Sequence, residues 1–303
     1  MDTFNEIAIH QAKLQAKVVD NITNKSPILK EYIKWMESTH GMWHAYEKLE
    51  SVDGAAFVDF NAPLGEVKAE GKILRVDLGV IGGKRFVPED TAVEFGGPDK
   101  YFAKHEDVIL RESLKNAERH ILYNNFKAFA INTGQVVSAG ASGPNTFTML
   151  FVHFEEGECC GIYNPNGFKK SGELLDVKPI NGGNLYTHPD TGVEGYGVRY
   201  KGYFGMLLAQ GTPYVRAIVN IDATHIPTEI QIDDALAEID ADEGNSFIFS
   251  SQKVRTLLKQ YKREKVRYSG NETNIEQPFN DWDGVKLVTS RNFLKTGEAA
   301  TAL

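Results

Sequence analysis

Cysteine is nearly absent: Cys159 and Cys160 are the only two in 303 residues, and they are neighbours. Adjacent cysteines cannot tie distant segments together. No disulfide framework therefore holds this chain, which fits folding in a reducing cytoplasm. A vicinal pair could serve a soft metal or a redox step, but no further ligand group stands beside it in sequence. Long apolar runs are missing too, and none approaches the roughly 20 residues of a membrane helix. The opening MDTFNEIAIHQAK carries acids where a secretory leader needs a basic start and an apolar stretch. Cations are outnumbered, 33 Lys and Arg against 41 Asp and Glu, for a net charge of -8. A protein built to grip phosphates gathers its bases on one face. The one dense basic stretch, Lys253 to Arg267, reads as a solvated helix end, where cations suit the helix dipole.

Chemical motifs are equally scarce. No GxxxxGK[ST] is present, and the glycine pairs in Ile81-Gly-Gly-Lys84 and Asn181-Gly-Gly-Asn184 lack its spacing and its strand-to-helix setting. There is no HExxH. His40 and His44 are four apart, as two ligands on one helix face would be, but Gly41 lies between them and no third ligand is indicated. His153 and Glu155 share a face of an alternating strand, which any polar sheet face also does. Ser142 in GASGPN does not meet GxSxG. Asn271-Glu-Thr273 is only a formal glycosylation acceptor. No catalytic, cofactor or metal residues are assigned.

What the chain does hold is 42% hydrophobic and 24% charged residues, enough for a sizeable core. Residues 3–20 carry Phe4, Ile7, Leu14 and Val18 at helical spacing. Asn24-Lys-Ser-Pro27 interrupts, and ILKEYIKWM predicts a second helix through Trp35. These two pieces own no core and need another surface. AAFVDF reads as a strand, NAPLGEVKAEGK as a polar connection, and KILRVDLGV as a strand with Leu74, Val76, Leu78 and Val80 on one side. Together they predict a long projecting hairpin, which is marginal alone. After the turn cluster FGGPDKY comes a long helix over about 100–129. Leu110, Leu114, Ala117 and Ile121 form its stripe, widened by Val108, Leu122 and Phe126. Residues 133–145 read as a flexible link. TFTMLFVHFEEGECCGIY and VRYKGYFGMLLAQGTPYVRAIVNID each read as strand, turn, strand. The last 75 residues or so alternate helix, strand, helix, strand, an α/β layer apart from the β-rich middle.

This order resembles the major capsid protein of tailed bacteriophages, the Hong Kong 97-type fold, and within it the short-tailed phage group. The resemblance spans nearly the whole chain. SPILKEYIKWM resembles the end of the family's arm. FVDFNAPLGEVKAEGKILRVDLGVIGGKRFVPED resembles its extended loop and return strand. KYFAKHEDVILRESLKNAERHILYNNFKAFA is similar to its spine helix. The two β-rich stretches resemble its long strands, the second closing on Arg-x-x-x-Asn at Arg216 and Asn220. SFIFSSQKVRTLLKQY with FNDWDGVKLVTSRNFLKTGEA resembles the axial domain. Ser250-Ser251-Gln252 before the axial helix and Gly284-Val285-Lys286 at the last strand depart from the family's usual turns.

The resemblance implies an α+β protein with an N-terminal arm (1–44), an extended loop hairpin (45–80), a peripheral domain with spine helix and β-rich region (81–222) and an α/β axial domain (223–303). It implies a shell subunit, without enzyme activity or cofactor, that assembles with itself into hexamers and pentamers around double-stranded DNA. Scaffolding protein, portal and a decoration protein are the implied partners. No membrane is involved, and the implied location is the virion, assembled in the host cytoplasm. Phe4, Ile7, Leu14, Trp35, Phe57, Phe60 and Leu64 are the expected inter-subunit contacts. Two other readings exist. One is an encapsulin-like nanocompartment shell or other virion structural protein. The other is a β-rich hydrolase or carbohydrate-binding protein, which would need a cleft of convergent polar groups.

Overall fold

A computed structural model describes residues 28–55, 57, 66–165, 175–209, 213–266 and 281–302. The expected helix at 3–20, most of AAFVDF, the Gly211 turn and the end of the basic stretch lie outside them.

Two six-stranded sheets and one long helix make the body. The first sheet is organised around β10 (Glu194–Leu208). One edge of β10 pairs antiparallel with β4 (Gly79–Pro88). Its other edge is met in turn by β9 (Tyr186–Thr187), β8 (Asp176–Pro179) and β7 (Cys159–Tyr163). The mixed sheet runs β13 (Asp281–Trp282), β14 (Val285–Thr289), β12 (Ser246–Ser250), β6 (Phe147–His153), β11 (Val215–Ile221), β5 (Val136–Ser138).

Each β-rich stretch expected to form a hairpin instead crosses from one sheet to the other. β6 and β11 pair in the mixed sheet, and β7 and β10 pair in the first. The two crossings run side by side, joined by backbone bonds from His153 N–H to Tyr214 O and from Ala209 N–H to Glu158 O. β6 is apolar on both faces because it is covered on both. Leu150 and Val152 belong to one core, Met149 and Phe151 to the other.

The long helix begins at Pro98, whose missing N–H costs nothing at a first helical position. Gly96 and Gly97 before it hold positive φ of 79° and 120°, which a side chain would resist. α1 (Glu89–Glu94) precedes them. The helix runs as α2 (Pro98–His120), then a π-type stretch (Ile121–Lys127), then α3 (Ala128–Asn132). At 1.5 Å per residue the spine is roughly 50 Å long. Leu110, Leu114, Ala117, Ile121, Leu122 and Phe126 are buried, as the stripe predicts. Val108 is the correction: it is 53% exposed. Phe126 packs against Phe154 and Phe249, with ring centroids 6.1 and 6.3 Å away, so the spine seats where the two sheets meet.

On the other face of the mixed sheet lie α4 (Glu229–Glu238) and α5 (Gln252–Val266). Ile232, Leu236, Val254 and Leu258 are buried there with Phe151 and Ile248. Thr228 and Gln231 start α4 with a reciprocal capping box. The α/β layer does not stand apart from the β-rich middle, because β12 pairs directly with β6. The sequence boundary at 222 therefore falls inside one sheet.

Two further expectations are corrected. ILKEYIKWM is a single π-type turn, Ile28–Tyr32, followed by strand β1 (Trp35–Glu37), parallel to β7. Trp35 lies over Gly161 of β7; a Cβ there would come within 2.5 Å of the indole. The expected flexible link at 133–145 contains β5, parallel to β11.

Candidate assembly surfaces

β2 (Trp43–Asp53) and β3 (Lys68–Asp77) form an antiparallel pair with no third strand among the described residues. The pair falls in the stretch where a hairpin is expected, but its outgoing strand is Trp43–Asp53 and not AAFVDF, most of which lies outside the described residues. It leaves the body at residue 42 and returns at Leu78. Its register places Trp43 opposite Asp77, Tyr46 opposite Leu74, and Leu49 opposite Gly71, with a bulge before Ser51. The alternation sorts the ribbon into two faces. Near the base, His44, Tyr46 and Val76 turn toward the body, where Tyr46 and Val76 pack with Leu78, Cys160 and Leu207. The opposite face carries Leu49, Val52, Ala69 and Ile73, all exposed; Leu49 is 57% and Ile73 76% exposed. Val67 and Phe57, beyond the paired strands, are exposed as well. Val80, expected to share a face with Leu74 and Val76, lies past the break at Leu78 and is also exposed.

Apolar side chains in a row on one face of a two-stranded ribbon have nothing of their own to pack on. Lys48 and Lys72, directly opposite on the other face, add like-charge repulsion. The ribbon stays attached through its base. Leu78 N–H donates to Met42 O at 2.9 Å, and Arg75 sits 5.0 Å from the centre of the Trp43 ring. Between the base and the spine helix lies a groove of about 530 Å³. Leu78, Val80, Phe204 and Met206 line its apolar part, and Asn116, His120 and Asn125 of the spine line the rest.

Of the expected contact residues, Phe57 is fully exposed. Trp35 is half-buried and engaged within its own chain. Its Nε1–H donates to Leu29 O at 2.9 Å and its ring stands edge-on to Phe204. Ile28, Leu29 and Ile33 beside it are core residues of the same chain, so the segment from residue 28 does own a place in the body. Phe4, Ile7, Leu14, Phe60 and Leu64 lie outside the described residues. Leu49, Val52, Val67 and Ile73 are exposed apolar residues outside the expected contact set; for Leu49, Val52 and Ile73 the signal is the alternation along the paired strands, visible once the register is known.

His40 stacks on Trp43 at 3.8 Å, and His44 is buried, which lowers its pKa with help from the nearby His40. Ser246 lies 3.0 Å from His153 Nδ1, and His153 Nε2 is 3.7 Å from Glu155, but Ser246 is fully buried and accepts the Asp242 backbone N–H. Both cysteines are buried free thiols whose pKa burial pushes up. Among the described residues no group of three or more His, Cys, Asp or Glu is set to hold a metal ion. No helix among them is long and apolar enough to cross a membrane.

No protein-family model and no curated protein matches the sequence. Solved structures do. A chain in the near-atomic structure of bacteriophage Epsilon15 superposes with a TM-score of 0.58 at 16% identity, covering 90% of this chain and 89% of that one. A chain of the bacteriophage JBD30 capsid gives 0.48 at 10% identity over 77% and 81%. The SrpI encapsulin complex of Synechococcus elongatus gives 0.46 at 12% identity over 66% and 89%. Of these three the Epsilon15 likeness carries the argument, and at that identity it speaks for the fold. The α+β fold implied by the resemblance is the fold this chain has, shared along nine-tenths of its length with a chain of a bacteriophage particle.

Proposed function

We propose that this chain is the major capsid protein of a tailed phage and that its work is assembly. The observation that carries the reading is the uncovered apolar face of the ribbon, Leu49, Val52 and Ile73, projecting from a body with a bacteriophage chain's fold. A ribbon of this kind gains stability only by lying on a neighbouring copy. Interfaces of about 800 Å² per partner are of ordinary size, and a shell repeats them many times. Of the arm (1–44), the part before Ile28 then bridges subunits together with the extended loop (45–80), while residues 28–44 join the peripheral (81–222) and axial (223–303) regions in the wall. Phe4, Ile7, Leu14, Phe57, Phe60 and Leu64 belong to these contacts in this reading, and Trp35 adds only the part that its own chain leaves uncovered. The subunits form hexamers and pentamers around DNA, in a virion assembled in the host cytoplasm. Scaffolding, portal and decoration proteins are the further partners. The net charge of -8 suits a container whose wall should not hold its DNA.

Hydrogen exchange tests the ribbon's role. In unassembled protein the amides of Leu49 to Asp53 and Lys68 to Ile73 should exchange fast, and in assembled protein slowly. Equal exchange in both states would contradict the reading.

A further inference from the structure

The segments that hold α4 and α5 differ sharply in charge, a contrast that the ribbon and its groove do not use. Between Ala223 and Gln252 the sequence has seven carboxylates and no Lys or Arg. α5 has six bases and one acid. Val254 and Leu258 seat α5 on the sheet, which leaves Lys253 and Lys259 exposed. Beside α4 the surface opens into a groove of about 480 Å³, with Leu236 and Val285 in its lining and Asp233, Asp240 and Asp283 at its rim. Asp233 accepts the Trp282 indole N–H at 2.7 Å. Among the described residues no ion pair joins Asp240 or Asp283 to Lys253 or Lys259 within one chain.

We propose that this acid-rimmed groove receives the basic face of α5 from a second copy of the same chain. The inference rests on the shell-subunit reading and names the chemistry of one of its contacts. A groove lined by three carboxylates with Leu236, Ala237, Ala241 and Val285 among them suits lysine, whose ammonium reaches the acids while its methylene stem lies along the apolar side chains. The two patches differ, so the contact is head-to-tail, the kind that closes rings when the rotation allows. Complementary rim charges set register and speed of association, and they are screened within about 8 Å at physiological salt. Assembly should therefore slow as salt rises.

The test uses the full chain, assembled from a mixture of light- and heavy-isotope subunits and treated with a zero-length carbodiimide. Mass spectrometry should find light-to-heavy links from Lys253 or Lys259 to Asp240 or Asp283. In parallel, the D240N/D283N double variant should assemble about tenfold more slowly at the same protein concentration and low salt, and its rate should depend less on salt, as expected when rim charges are removed. Asparagine tolerates the left-handed backbone at these positions, φ 47° and 48°, so its melting curve should match the parent's. If particles form without such links, or the variant assembles like the parent, the pairing is wrong while the shell reading stands. If links join chains only at other residues, the pairing is also wrong. If the unmodified chain forms neither rings nor particles, the shell reading falls, and this inference with it.

Discussion

Lys127 of the spine and Glu298 near the C-terminus form an ion pair of 2.7 Å with both side chains nearly out of solvent, 11% and 13% exposed. Glu298 also accepts the Thr148 hydroxyl of β6. Its backbone pairs with Thr146, with N–H to O distances of 2.9 and 2.8 Å. The C-terminal segment is thereby stitched to the spine and to the mixed sheet at one point. Nearby, Arg119 Nε donates to Asn292 O, Leu294 N–H to Tyr123, and Thr301 N–H to Asn220. Lys127→Ala leaves an unpaired carboxylate in this junction and should cost about 3 kcal/mol, the size seen when one partner of a buried pair is removed. Chemical denaturation of the single and double variants with Glu298→Ala should show strong coupling. Additive losses would mean the pair is an exposed contact of little weight.

Leu114 separates folding from assembly. It is 3% exposed beneath the spine, and Leu114→Ala should cost about 2–5 kcal/mol. That subunit should melt early or express insoluble. Leu49→Ser on the ribbon should leave the melt within about 0.5 kcal/mol of the parent, as surface changes do, and reduce particle yield sharply. A Leu114→Ala subunit that melts normally but makes no particles would turn the spine stripe into an inter-subunit surface.

Stability should fall in alkali between pH 10 and 12. Burial, reinforced by Glu106, pushes the Tyr200 phenol up to about 12, from 10.0 when free. The folded form thus holds a proton that the unfolded chain has released above pH 10. Stability from this group is complete below pH 10 and is lost as pH rises to about 12, by about 2 kcal/mol. Denaturant midpoints across that range, with Tyr200→Phe as control, measure it; the variant should show the smaller fall. Tyr123, raised to about 12 chiefly by burial, adds in the same direction.

Both thiols should be inert in the native protein. Cys159 and Cys160 are fully buried, and burial holds them protonated. A maleimide should add nothing to folded subunit and two groups to denatured chain, as read by intact mass. Rapid native labelling would mean that β7 is open.

The periodic elements were the legible ones. The spine stripe from Leu110 to Phe126 and the ribbon's return strand are legible because each repeats one pattern over several turns or pleats, whereas the outgoing strand is Trp43–Asp53 and not the expected AAFVDF. Val108 is exposed although Leu110 is buried, because a step of two residues along a helix of 3.6 per turn swings a side chain almost to the opposite face. Trp35 was read as helical because ILKEYIKWM fits both periods; pairing with β7 across more than 120 residues decided for a strand. The sheet crossings were illegible, since a strand-turn-strand pattern is the same whether the second strand folds back or moves to another sheet. Asn220 shows the converse. The Arg216-x-x-x-Asn220 spacing was visible, but its reason lies in tertiary structure. Asn220 takes a positive φ of 59° at a bulge in β11, and its side chain clasps Thr301. The apolar ribbon face needed the cross-strand register, which the bulge before Ser51 shifts.

Electron microscopy of the purified, expressed chain tests the central claim most directly. The account predicts closed, icosahedrally symmetric particles in which residues 43–77 of each subunit lie over a neighbour and cover Leu49, Val52 and Ile73. A protein that stays monomeric across concentration and salt, or particles in which that face remains bare, would contradict it.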